Sequence, residues 1–311
     1  MTEAAKTPSP APDQEPVRLI RYLLPNAVTA ASLMFGLISI VSAHAGNYAL
    51  AAWMVMYAVM TDRVDGLVAR ALRATSAFGM QLDSFADFLN FGVAPANLVY
   101  AYLVHRPDLP YAEAGWERYL MMAACGLWVL GAVFRLARYN VTSDEDLPTK
   151  IFFGIPTTLA GGLLAAWFLV FHKYDAPGET FSGAKLFGDV ITPRGVWLYL
   201  PIALVVGAYL MVSSLPMPKL VSAKSRAVTA FIMVNVLVGY GLGFAMMYPD
   251  IMVWQPSIWM VVFLIWGQVS KTARGLTPPR LFPRRDDGKL MVRPQEDMGP
   301  DEEVRFGDVS G

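Results

Sequence analysis

The stretch T-D-R-V-D-G-L-V-A-R-A-L-R-A-T-S-A-F-G-M-Q-L-D-S-F-A-D, ending at Asp87, holds four aspartates, three arginines and two glycines between long apolar runs. A charge beside hydrocarbon costs several kcal/mol unless it is paired or ligated, so such a cluster marks a functional site. Read as helix, Asp62 and Asp65 fall on one face with Gly66 beside them, and Asp83 and Asp87 share a face at i and i+4. The residues between Arg70 and Gly79 are small and polar, which suits a turn between two antiparallel helices. Such a hairpin points four carboxylates at one another. Bare, they repel strongly, so the spacing predicts a cation among them.

The donor set narrows the cation. All four candidates offer oxygen, and the chain has three His and one Cys, none of them in this stretch. That favours a hard ion, Mg²⁺ or Mn²⁺, over Zn²⁺ or copper. A pair of ions would suit phosphoryl transfer, because two metals clamp both the entering and the leaving oxygen. Gly66 clears space for a nucleotide or diphosphate to approach the helix, and Arg70 and Arg73 offer charge to phosphate oxygens. The plainer alternative is a buried ion network of the aspartates with Arg63, Arg70 and Arg73.

The pattern D-x2-D-G-x2-A-R-x8-G-x3-D-x3-D is filled at Asp62, Asp65, Gly66, Ala69, Arg70, Gly79, Asp83 and Asp87. In this the chain resembles the CDP-alcohol phosphatidyltransferase family. The flanks L-P-N-A-V-T, F-G-M-Q-L-D-S-F-A-D-F-L-N-F-G-V-A-P-A, F-R-L-A-R-Y-N-V and F-F-G-I-P are similar to its bacterial phosphatidylserine synthase branch. The likeness runs from about Leu23 to Pro156. It implies that Asp62, Asp65, Asp83 and Asp87 bind Mg²⁺ or Mn²⁺, as two ions, and that Asp87 is also the general base. It implies that Asn26, Thr29, Gly66, Arg70, Ser76 and Gly79 contact a CDP-lipid. The substrates it implies are CDP-diacylglycerol and L-serine, and the products phosphatidylserine and CMP. It also suggests a homodimer. No nucleic-acid partner is expected.

The rest of the chain must carry this site in a membrane. Of 311 residues, 55% are hydrophobic and 16% charged, against about 25% charged in soluble domains, and the mean hydropathy is +0.42. The expected fold is all-α and polytopic, with about eight spans and membrane lipids around them. The spans run to about Ala45, then Asn47–Leu72, Phe78–Val104, Tyr119–Arg138, Gly154–Phe171, Gly195–Ser213, Ala227–Met247 and Ile251–Val269. Residues 1–16 and 271–311 read as disordered tails on a catalytic domain of 17–270. No cleavable signal peptide is visible.

Lys and Arg crowd one set of span ends, around Arg21, Arg63, Arg70, Arg73, Arg135, Arg138, Lys150, Lys219, Lys224 and Lys271. Positive residues favour the cytoplasmic side. Both termini and the aspartates are therefore expected at the cytoplasmic face of a bacterial inner membrane. Arg135 and Arg138 lie one turn apart near the inferred site. They serve either as membrane anchors or as a clamp on the serine carboxylate. Asn90 and the F-G-V-A-P segment either line the head-group pocket or shape a helix break at Pro95.

Three rivals stand beside this reading, one of them a non-catalytic scaffold, which would have no reason to keep buried charge. A sister enzyme would use glycerol phosphate, inositol phosphate or choline as acceptor. An ion-coupled transporter would also keep intramembrane carboxylates, though nearer the midplane and in inverted repeats.

Overall fold

The computed structural model describes residues 20–72, 76–142, 151–175, 181–188, 190–218 and 226–270. The two tails expected to be disordered lie outside them. The described chain is mostly helical: α1 Ile20–His44, α2 Tyr48–Leu72, α3 Ala77–Asp87, α4 Ala94–Val104, α5 Trp116–Thr142, α6 Thr157–Asp175, α7 Arg194–Val212, α8 Arg226–Phe244 and α9 Pro249–Val269. A π-helical segment, Phe88–Val93, joins α3 to α4. Two three-residue strands, β1 Ile151–Phe153 and β2 Pro216–Pro218, pair antiparallel.

Among the described residues four helical segments are long and apolar enough to cross a membrane: Leu23–His44, Trp116–Asn140, Arg194–Val212 and Pro249–Val269. Their outward faces are apolar, with Leu130, Ile202, Tyr209 and Ile265 more than half exposed. Lipid would cover such faces. The count of eight spans is not established by these lengths. α2 carries its charges at one end, and the rod of α3 and α4 is divided by the π-turn.

α1 and α2 form a hairpin. Gly46, at φ +82°, closes α1 with the amide of Asn47 donating to Ser42 O at 2.9 Å, a reversal that favours glycine. Past Leu72 the chain returns through α3. Ser76 caps that helix, its Oγ accepting from the amide of Gly79 at 3.0 Å. From Ala77 to Val104 the backbone stays helical. The proline at position 95 therefore makes no break. It directly follows the π-turn, and the carbonyl four residues before it, Phe91 O, accepts from the Trp128 indole in place of the missing N–H.

Two of the flanking motifs meet at one place. Arg138, from F-R-L-A-R-Y-N, donates to the carbonyls of Val212 (2.8 Å), Phe153 (2.8 Å), Met211 (3.2 Å) and Ser213 (3.2 Å). It thereby satisfies the last carbonyls of α7 and ties them to F-F-G-I-P. Gly154 there has φ +75°, and a Cβ would lie 2.5 Å from Met211 O. At the opposite end of the bundle, Lys173 of α6 and Asp250 of α9 form an ion pair in which both side chains are 1% exposed. Breaking one half of such a pair leaves a buried charge and costs about 3–5 kcal/mol.

Close helix approach depends on small residues. A Cβ at Gly267 would lie 2.0 Å from the carbonyl oxygen of Pro216, whereas at Gly241 it would meet nothing within 4 Å. Gly267→Ala should therefore lower the melting temperature in detergent, at a cost of about 1–3 kcal/mol. Gly241→Ala should leave it unchanged or raise it, since alanine is the better helix former. Differential scanning fluorimetry checks both.

Candidate active site

α2 and α3 both pack on α1 and bring the aspartates to one end of the bundle. Ligand oxygens of Asp62, Asp83 and Asp87 all lie within 4.8 Å of one another. Asp62 and Asp87 are close enough for each carboxylate to act on the other. Two carboxylates at such range need a proton or a cation between them. At 4.8 Å and an effective dielectric constant of about 20, each bare pair repels by about 3 kcal/mol. The oxygen-only donor set fits a divalent hard cation.

Asp65 stands slightly apart. It is 5% exposed, feels the charge of Asp62, and its Oδ2 accepts from Thr29 Oγ1 at 3.1 Å. The same hydroxyl lies 3.1 Å from Pro25 O. Thr29 has one proton to give, so it serves one acceptor at a time.

Of the expected CDP-lipid residues, three come together. A Cβ on Gly79 would sit 3.0 Å from Asn26 Oδ1 and 3.1 Å from Ser76 Oγ. Asn26 at the head of α1 and Ser76 at the head of α3 thus meet over a glycine with little room for more. Gly66 is half-buried in α2, next to Asp65. Arg70 belongs to α2, but its side chain, and all of Arg73, lie outside the described residues.

The two arginines of α5 separate in role. Arg138 is engaged by three carbonyls at the end of α7 and by Phe153 O of β1. Arg135 is 9% exposed, acts on Asp87 through its charge and lies over the ring of Tyr139, and its Nε has no protein partner. Asn90 is 1% exposed and turns to α1, where its Nδ2 donates to Ser32 Oγ at 3.0 Å.

Sequence reading missed Thr158. Its hydroxyl reaches Asp62 Oδ2 at 3.4 Å from the first turn of α6. Its neighbour Thr157 is wholly buried, with a hydroxyl that has no protein partner. The signal was a polar pair opening an apolar helix directly after F-F-G-I-P.

Residues 22–208 match the sequence profile described as CDP-alcohol phosphatidyltransferase. A CDP-diacylglycerol–serine O-phosphatidyltransferase of Helicobacter pylori is 36% identical over 176 residues, 56% of this chain and 68% of the relative. One from Bacillus subtilis is 34% identical over 138 residues, 44% of this chain and 71% of the relative. An archaetidylserine synthase of Methanothermobacter thermautotrophicus is 30% identical over 148 residues, 47% and 58% of the two chains.

If the three carboxylates form one cation site, titrating the purified protein with Mn²⁺ by calorimetry will show saturable binding. Asp83→Asn will weaken it at least tenfold, as losing a charged ligand should, at about 1.4 kcal/mol or more. Asp108→Asn, at the other end and paired with Arg106, will leave it unchanged.

Proposed function

The chain belongs to the CDP-alcohol phosphatidyltransferase family, and from that membership we propose that it joins CDP-diacylglycerol to L-serine, releasing CMP and phosphatidylserine. The observation that carries this is the trio Asp62, Asp83 and Asp87 within 4.8 Å, with the buried Arg135 charge acting on Asp87. The curated relatives from Helicobacter and Bacillus are named for serine as acceptor, and the archaeal one for archaetidylserine.

In this reading Asp62, Asp65, Asp83 and Asp87 hold one or two Mg²⁺ or Mn²⁺ ions. Bound there, a divalent cation supplies charge to the diphosphate and to the departing CMP. Thr29 and Thr158 keep Asp65 and Asp62 turned inward by their hydrogen bonds. Asn26, Ser76 and Gly79 take the cytidine end of the lipid, with Gly66, Thr29 and Arg70 toward the diphosphate. Asp87 accepts the serine hydroxyl proton as the oxygen attacks phosphorus, because a neutral hydroxyl is a weak nucleophile. Arg135 receives the serine carboxylate, its Nε being without a protein partner. Arg138, committed to carbonyls, holds α5 in register, and Asn90, tied to α1 through Nδ2, keeps its Oδ1 for the serine head group.

The described helices make eight rods once α3, the π-turn and α4 are taken as one. This supports eight spans within residues 17–270. The clustering of Lys and Arg at the aspartate end supports a cytoplasmic site and cytoplasmic termini in a bacterial inner membrane.

The test is CMP release by purified protein in detergent, with CDP-diacylglycerol, Mn²⁺ or Mg²⁺, and one acceptor at a time. Release is expected with serine and not with inositol phosphate, glycerol 3-phosphate or choline, and it is lost on adding EDTA. Asp87→Asn should lower kcat by about 10²-fold or more. Arg135→Ala should raise the KM for serine by about 10- to 100-fold, the worth of a charged hydrogen-bond pair. Release with a different acceptor would refute the serine assignment, and full activity in Asp87→Asn would refute the base.

A further inference from the structure

Asp87 is the last residue of α3, and the backbone leaves α-helical geometry immediately after it. In the π-turn Phe88–Val93 the amide of Ala94 bonds to Leu89 O, five residues back. Such a turn adds one residue to the helix. It rotates everything beyond it by about 100° relative to an unbroken α-helix. Isolated π-turns have poorer hydrogen-bond geometry than α-helix and persist where neighbours hold them.

Here the neighbours are visible on three sides. From α5, Trp128 Nε1 donates to Phe91 O at 3.0 Å, inside the π-turn. The indole is 2% exposed and lies against Gly207 of α7, where a Cβ would be 2.4 Å from Trp128 Cζ3. From α6, Gly161 lets its backbone reach Phe91, with a Cβ placed 2.9 Å from Phe91 Cα. From α1, Ser32 takes the Asn90 amide, and a Cβ on Gly36 would be 2.2 Å from Asn90 Oδ1. Trp128 and Arg135 are seven residues apart on one stripe of α5. One helix face therefore touches the π-turn and acts on Asp87.

We propose that Trp128 is a positioning residue: its indole N–H holds the π-turn at Phe91 and through it fixes the direction of the Asp87 carboxylate. The acceptor its N–H finds lies within the irregular turn of the rod, not in a regular stretch of helix. A buried N–H does need an acceptor, and a carbonyl of the π-turn supplies it. The inference rests on Asp87 acting in catalysis.

Trp128→Phe keeps most of the ring volume and removes the donor. Expected is a kcat lower by about 10- to 100-fold with KM for CDP-diacylglycerol within about twofold, as for a displaced catalytic group. Hydrogen exchange by mass spectrometry should quicken over residues 88–94 and not over α9. Wild-type kcat, a loss carried by KM, or unchanged exchange in 88–94 would each overturn the proposal. If Trp128→Phe does not yield monodisperse protein, Gly161→Ala reads the same displacement, since its Cβ presses on Phe91 Cα while Trp128 remains. The same three outcomes overturn the proposal there. Asp87→Asn, assayed alongside, separates the two ideas: activity in that variant removes the base itself, whatever Trp128 does.

Discussion

Three carboxylates from two helices share a space under 5 Å across, and the bundle at this end is arranged around their repulsion. α2 supplies Asp62 and α3 supplies Asp83 and Asp87. α1 and α6 each lend a threonine hydroxyl, Thr29 to Asp65 and Thr158 to Asp62. α5 brings the charge of Arg135 to Asp87. Among the described residues, hydroxyl donors and the charges of Arg63 and Arg135 leave the four acids short of balance. A divalent cation held there would offset the remainder and give the helices a reason to stay together.

Holding those helices close takes glycine as much as it takes charge. In a lipid environment apolar contact between helices has no solvent-driven advantage, so backbone proximity has to come from small residues and hydrogen bonds. Gly36, Gly161 and Gly207 each stand where a methyl group would strike a neighbour, and all three surround the π-turn or the tryptophan that bonds to it. Polar contacts have the same economy. Arg138 fastens α5 to the end of α7 and to β1, while Arg135, one turn earlier, acts on Asp87. At the far end, Lys173 and Asp250 join α6 to α9.

Much of this was readable from residue types. The fixed spacing of Asp62, Asp65, Asp83 and Asp87 gave two helices and a turn, because i+3 and i+4 spacings have one geometric meaning. Helix extents followed from apolar runs: Asn47–Leu72 against the observed Tyr48–Leu72, and Gly195–Ser213 against Arg194–Val212. The π-turn was not readable, since no residue type demands one. Its energy comes from Trp128 and Gly161, more than thirty residues away. Pro95 looked like a break because a proline disrupts a helix interior, yet the chain stays helical past it, with Phe91 O served by Trp128 in place of the missing N–H. The pairing of Ile151–Phe153 with Pro216–Pro218 is nonlocal and three residues long, too short for any period to show. Arg135 and Arg138 were equivalent in sequence. The carbonyls around Arg138 and the reach of Arg135 to Asp87 tell them apart.

The most direct test of the central claim is anomalous diffraction from crystals grown with Mn²⁺. The account predicts a manganese peak bounded by the carboxylates of Asp62, Asp83 and Asp87, with Asp65 close by. Crystals grown in saturating Mn²⁺ that showed these aspartates rotated apart or bonded only to protein, with no anomalous peak among them, would contradict it.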